Sequence, residues 1–158
     1  VRDALPTQWE PTVPALLQMV AASGGPRLRA AFAEAGLDGI HPAQSFALAP
    51  LVAGGLHASA LADRLGVSRQ AVAQAVGALE QHGYVMRTPD PLDGRVRIIE
   101  LTARGRKALR VMRANAVDLE HHWQRLLGED KLDELRRSLL TLLTSDRPKA
   151  ARDRPAAD

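Results

Sequence analysis

The chain has no cysteine. Disulfides, thiolate-held metals and cysteine-based redox switches are therefore excluded within it. Aromatic side chains are scarce: Trp9, Phe32, Phe46, Tyr84 and Trp123 are all there are in 158 residues. A core must then be assembled from Leu, Val, Ile and Ala, which suits packed helices. No run of about 18 apolar residues occurs, so no segment reads as a membrane span. Val1-Arg2-Asp3 is not expected to open a signal peptide. Together these absences make the cytoplasm the expected compartment. The excess of one charge is also small, 21 Lys and Arg against 18 Asp and Glu for a net +3.

Distribution tells more than the total. Arg87, Arg95, Arg97, Arg104, Arg106, Lys107, Arg110 and Arg113 stand against Asp90, Asp93 and Glu100 in one short stretch. Such a local surplus points to a polyanionic partner, with a solvated basic helix face as the alternative.

Apolar residues at helical spacing predict a first helix over residues 12–22 and a second over 27–35, parted by Gly24-Gly25-Pro26. His41-Pro42 opens a third helix that carries Phe46, Leu48 and Leu51 to Gly54-Gly55. Ser59 is the expected N-cap of a short helix over 60–65, closed by Gly66 in a left-handed conformation. Ser68 caps the next helix, which runs to about residue 82, with Val67 and Val72 spaced as a hydrophobic staple. These two helices, joined by Gly66-Val67-Ser68, form a helix-turn-helix. A strand over 84–87, a Pro/Asp/Gly-rich turn and a returning strand over 95–101 form a hairpin. Thr102 caps a long helix to about residue 127, and a last helix carries Leu132, Leu135, Leu139, Leu140 and Leu143.

The helix that starts at Arg69 has two faces. Val72, Ala75, Val76 and Leu79 would pack inward, while Gln70, Ala73, Gln74 and Gly77 share the outward side. Ala73 and Gly77 allow close approach of another surface, and Gln70 and Gln74 offer paired donors and acceptors that suit adenine edges in a major groove. Ser68 and Arg69 sit at the helix start, where backbone N–H groups favour phosphate. In the hairpin, alternation puts Ile99 and Leu101 on one face with Arg97 and Arg95. Arg95 at a slim tip can enter a narrow minor groove, Arg97 can meet a phosphate, and Asp93 can brace either arginine or simply serve the turn. Arg87 completes the expected DNA-facing set.

Asp93-Gly94-Arg95-Val96-Arg97-Ile98-Ile99-Glu100-Leu101-Thr102-Ala103-Arg104-Gly105 resembles the wing signature of the MarR family, the multiple-antibiotic-resistance regulators. Leu61-Ala62-Asp63-Arg64-Leu65-Gly66-Val67-Ser68-Arg69-Gln70 is similar to its helix-turn-helix. Leu79-Glu80-Gln81-His82-Gly83-Tyr84-Val85-Met86-Arg87 resembles the junction between helix and wing. The resemblance implies a mainly α fold with a small β-hairpin wing, a winged helix-turn-helix carried on N- and C-terminal dimerisation helices. The expected division is residues 1–42 for N-terminal dimerisation, 43–101 for DNA binding, 102–145 for C-terminal dimerisation and 146–158 as a disordered tail.

The resemblance further implies an obligate homodimer on a pseudo-palindromic operator in double-stranded DNA, with repression as the expected mode. Ser68, Arg69, Gln70 and Gln74 would lie in the major groove and Arg95 in the minor groove, with half-sites about one turn apart, ~34–36 Å. Many relatives release DNA when a small aromatic or anionic effector binds between reader and arms; Trp9, Met19, His41, Phe46 and Trp123 are the candidates for lining such a cavity, each with a plain core or interface role as its alternative. The Gly24-Gly25-Pro26 break departs from the longer unbroken first helix common in the family.

No metal or cofactor is expected, since His121 and His122 point about 100° apart on a helix and no ordered ligand set completes them. A small-molecule-binding or scaffolding dimer without operator binding is the alternative from another class. His57, Ser59 and Asp63 have the composition of a hydrolytic triad, but no oxyanion loop accompanies them, so no enzyme is expected.

Overall fold

The computed structural model describes residues 10–145. The chain divides into two compact units, Val1–Asn115 and Ala116–Asp158. In the first unit, α1 (Val13–Ser23) and α2 (Gly25–Glu34) are separated by Gly24 alone. Gly24 itself holds a right-handed helical conformation and accepts the Leu28 N–H at 3.1 Å. The Gly24-Gly25-Pro26 break is thus one residue wide, narrower than its composition predicts. Proline is at home in the first turn of α2 because the missing N–H has no partner to lose there.

The third helix departs further from expectation. Only Pro42–Ser45 (α3) is α-helical, and the chain tightens into a 3-10 segment, Phe46–Ala53. Pro50 lies inside that segment, where it removes an N–H donor and blocks continuation of an α-helix. Its turns still deliver Ala47, Leu48 and Leu51 to the core, whereas Phe46 faces out at 61% exposure.

The helix-turn-helix comprises α4 (Ala58–Leu65) and α5 (Arg69–Gln81). His57, and not Ser59, occupies the N-cap position of α4, and it makes no side-chain capping bond there. Gly66 closes α4 at φ +65, a left-handed turn that a side chain would strain. Ser68 caps α5 as expected, accepting the Ala71 N–H at 3.1 Å. Val67 remains 46% exposed, whereas Val72 is buried.

Strands β1 (Val85–Pro89) and β2 (Arg97–Leu101) pair antiparallel from Val85–Leu101 to Pro89–Arg97. Leu56 adds one bridge on Ile99, with mutual N–H to carbonyl bonds of 3.1 and 2.9 Å. The returning strand starts two residues later than predicted, leaving Arg95 in the turn. Thr102 caps α6 (Ala103–Leu127): its Oγ1 donates to the Gly83 carbonyl at 2.6 Å and accepts the Gly105 N–H at 3.1 Å.

One apolar cluster unites these elements. Leu28 and Phe32 of α2 join Leu48, Leu61, Val72, Val76, Leu79, Tyr84, Ile99 and Ala108 in it. The core that holds the reader therefore begins within α2, upstream of residue 43. Tyr84 is fully buried, donates its hydroxyl to the Asp38 carbonyl at 2.7 Å, and lies under the Arg104 guanidinium at 4.9 Å. Arg104 also bonds the Asp38 carboxylate.

In the second unit the end of α6 meets α7 (Glu129–Ser145) through Gly128 at φ +84. Arg136 bridges Glu120 and Asp133, and Leu132 is buried. Leu126, Leu135, Leu140, Leu142 and Leu143 are exposed. No helix among the described residues is long and apolar enough to cross a membrane.

Candidate nucleic-acid interface

The burial of α5 divides it as its sequence predicts. Val72, Val76 and Leu79 are buried, which fixes the helix against the core and leaves Gln70, Ala73, Gln74 and Gly77 exposed with Ser68 and Arg69 at the start. A Cβ built on Gly77 meets nothing within 4 Å. Packing among the described residues therefore gives no reason for glycine at this position.

The hairpin rests on the same core through Val85 and Ile99. Beyond the last ladder pair, residues 90–96 form its tip. Asp93 shapes the turn: its carboxylate accepts the Arg95 N–H at 3.0 Å and its carbonyl the Val96 N–H at 2.9 Å. Asp93 thus serves the backbone and braces neither guanidinium. Arg69, Arg95 and Arg97 are exposed and have no acidic partner within salt-bridge distance among the described residues. Arg87 differs, since its Nε lies 3.5 Å from Glu80 of α5.

The structure also holds a pair that the sequence did not reveal. His57 Nε2 sits 2.6 Å from Asp90 Oδ2, across 33 residues. The Leu92 N–H, and then His57, hold the Asp90 carboxyl below the usual carboxylate range. Of the three residues with a triad-like composition, His57 is therefore directed at Asp90, while Ser59 and Asp63 lie exposed on α4. His121 and His122 join no metal-binding group among the described residues.

Four of the five effector candidates fall among the described residues. Trp9 lies outside the described residues. Met19 is exposed on α1, Phe46 is exposed on the 3-10 segment, and Trp123 is half-buried in the second unit. His41 borders a cleft of about 480 Å³ with Phe32, Leu37 and Ile40. A larger cleft of about 630 Å³ has Leu51, Val52, Leu101 and Leu109 on its walls, with Glu100, Arg106, Arg110 and Arg113. The basic spacing along α6 was visible in the sequence, because 106, 110 and 113 share a helix face. The opposing wall was not, since residues 51–55 reach it only through the 3-10 segment.

A family model described as MarR family matches residues 38–96. The transcriptional activatory protein BadR of Rhodopseudomonas palustris is 31% identical over 94 residues, 60% of this chain and 53% of that protein. The chain thus spans about half the length of that curated relative. Among solved structures, a transcriptional repressor, CouR, bound to a 23-mer DNA duplex, is similar at 28% identity and TM-score 0.68, over 84% of this chain and 92% of the other. A probable transcriptional regulator from Pseudomonas aeruginosa is 25% identical at TM-score 0.61, over 80% and 96% of the two chains. The MepR–DNA complex of S. aureus, at 22% identity, shares the fold with TM-score 0.70 over 86% and 99%. Motif, hairpin register and these likenesses agree: residues 38–96 match the MarR family model, and the chain has the winged helix-turn-helix fold of these structures.

Proposed function

We propose that the chain is a sequence-specific DNA-binding transcriptional regulator that grips a pseudo-palindromic operator as a homodimer. One observation carries this reading. Arg69, Arg95 and Arg97 are exposed without an acidic partner among the described residues, and the outward side of α5 carries Gln70, Ala73, Gln74 and Gly77. Short side chains let the backbone enter a major groove, the amides read base edges, and unpaired cations meet phosphate or a narrow minor groove. Ser68 and Arg69 take phosphate at the start of α5. Arg87, held by Glu80, and Asp93, spent on the turn, support the interface by shaping it.

Dimerisation is proposed from exposed apolar rows. In α1, Val13, Leu16, Leu17, Met19 and Val20 are all at least 37% exposed. In α7, Leu140, Leu142 and Leu143 are exposed likewise. A second copy that covers each row accounts for them, and two-fold symmetry then matches paired half-sites. Residues 1–42 and 102–145 would supply those rows, and 43–101 the reader.

Repression follows where the operator overlaps a promoter. Release by an effector is assigned to the cleft bounded by Leu51, Leu109, Arg106 and Arg110, whose apolar walls and guanidiniums fit a small aromatic anion. Such a ligand must bind the released conformation better than the DNA-bound one.

Fluorescence anisotropy on duplex enriched from a random library, repeated across salt concentrations beside sedimentation, tests the central claim. A dimer whose affinity falls steeply with salt is expected. A monomer sinks it outright, and a dimer that enriches no duplex sinks it in favour of a scaffolding dimer.

A further inference from the structure

The tip of the hairpin is tied to the reader by the His57–Asp90 pair. The β-ladder ends at Pro89–Arg97, so residues 90–96 lie beyond its last pair. Asp90 opens this loop, and both its carboxylate oxygens and its backbone N–H are engaged. Oδ1 accepts the Leu92 N–H at 2.8 Å, its backbone N–H donates to the Val96 carbonyl at 3.0 Å, and Oδ2 meets His57 Nε2 at 2.6 Å. The Asp90 side chain is only 12% exposed, so the contact is partly shielded from water. A carboxylate only accepts, so Nε2 carries the proton in this bond.

His57 is fixed in turn. It follows Leu56, which is bridged to Ile99, and precedes α4, whose first residue is Ala58. A residue at this N-cap position would ordinarily turn its side chain back on the helix, yet His57 gives α4 no capping bond and is directed at the hairpin. Two-stranded ribbons are marginal alone, and a tip left to swing must be ordered when it binds. The contact therefore lies where it can hold the loop in advance.

We propose that His57 and Asp90 are positioning residues for the DNA-binding tip: their hydrogen bond links the start of α4 to the loop and so fixes where Arg95 is presented relative to α5. This inference rests on the proposed DNA-binding reading.

The test uses the full chain and a duplex enriched from a random library by the wild-type protein. His57→Ala is expected to weaken binding about tenfold, the scale of one charge-assisted hydrogen bond. Hydroxyl-radical protection of the minor groove beside each half-site should fade, while guanine N7 protection in the major groove persists and the thermal midpoint stays put. His57→Gln, whose amide nitrogen can stand near the position of Nε2, should restore most of the affinity and the minor-groove footprint. Asp90→Asn keeps an acceptor for the Leu92 N–H but removes the charge from the His57 contact, so a smaller loss is expected. Should His57→Ala melt early, Asp90→Asn carries the test at unchanged stability.

A wild-type footprint and affinity in both His57→Ala and Asp90→Asn overturns the inference alone. So does a His57→Gln protein as weak as His57→Ala. If the wild-type chain enriches no duplex at all, the DNA-binding reading falls, and this inference with it.

Discussion

Helices α1 and α5 both lie at the surface of the first unit, yet they leave opposite chemistry in view. Helix α5 buries Val72, Val76 and Leu79 and shows solvent a short, amide-bearing face. Helix α1 buries none of its residues and leaves Val13, Leu16 and Val20 between 42% and 64% exposed. An exposed polar face with small residues is at ease in water and against a hydrated polyanion. A row of exposed aliphatic side chains is not, and gains about 25 cal/mol for each Å² that another protein surface covers. On the proposed reading, the difference separates a surface for nucleic acid from a surface for a second copy.

The largest expected effect breaks the α1 side. Leu16→Glu with Val20→Glu enters a two-fold interface twice, and should weaken the dimer by at least ~100-fold, given about 1.5–3 kcal/mol for each buried aliphatic side chain. Sedimentation would report monomer, and operator binding would fall with it; a persistent dimer would place the interface elsewhere. On the other side of the comparison, Arg95→Ala should cost about 1–3 kcal/mol in operator affinity and leave the dimer intact. Gel-shift titration beside sedimentation reads both, and unchanged affinity would remove Arg95 from the minor groove.

Gly77→Leu sharpens the contrast. The free chain leaves a Cβ at this position clear of contacts, and replacing a mid-helix glycine should hold or raise the thermal midpoint, since glycine costs about 1 kcal/mol there. Operator affinity should nonetheless drop at least about tenfold, the value of one lost base contact. A variant that is both stable and fully competent would mean that α5 does not enter a groove. The smallest effect belongs to Gln74→Ala. It should lose about 1–3 kcal/mol of discrimination between operator and random duplex, with little change on the random duplex itself. Equal losses on both would count against base reading.

Features governed by neighbours in sequence were legible without the structure. The Ser68 cap, the left-handed Gly66 and the Thr102 cap each depend on residues within a turn, and all appear as the sequence predicts. Where two local signals compete, the sequence misleads. Ser59 looked like a cap, but α4 begins earlier, at Ala58; the apolar run 46–53 looked α-helical, but Pro50 tightens it. The outward face of α5 was legible because helical periodicity assigns it, and Arg95 was legible as a tip residue although the strand starts at Arg97. The His57–Asp90 bond and the arginine-lined cleft were not, because each joins residues tens of positions apart whose proximity only the fold decides.

Tyr84 carries a practical consequence. It is the chain's single tyrosine, and burial pushes its phenol above the ordinary value of 10.0. In alkali the folded reader keeps this proton while an opened chain gives it up, so stability falls as pH rises beyond 10.0. Phenolate absorbance should therefore appear together with unfolding and lag behind that of free tyrosine. The molecule contains its own optical gauge for the integrity of the joint where α5, the hairpin and α6 converge.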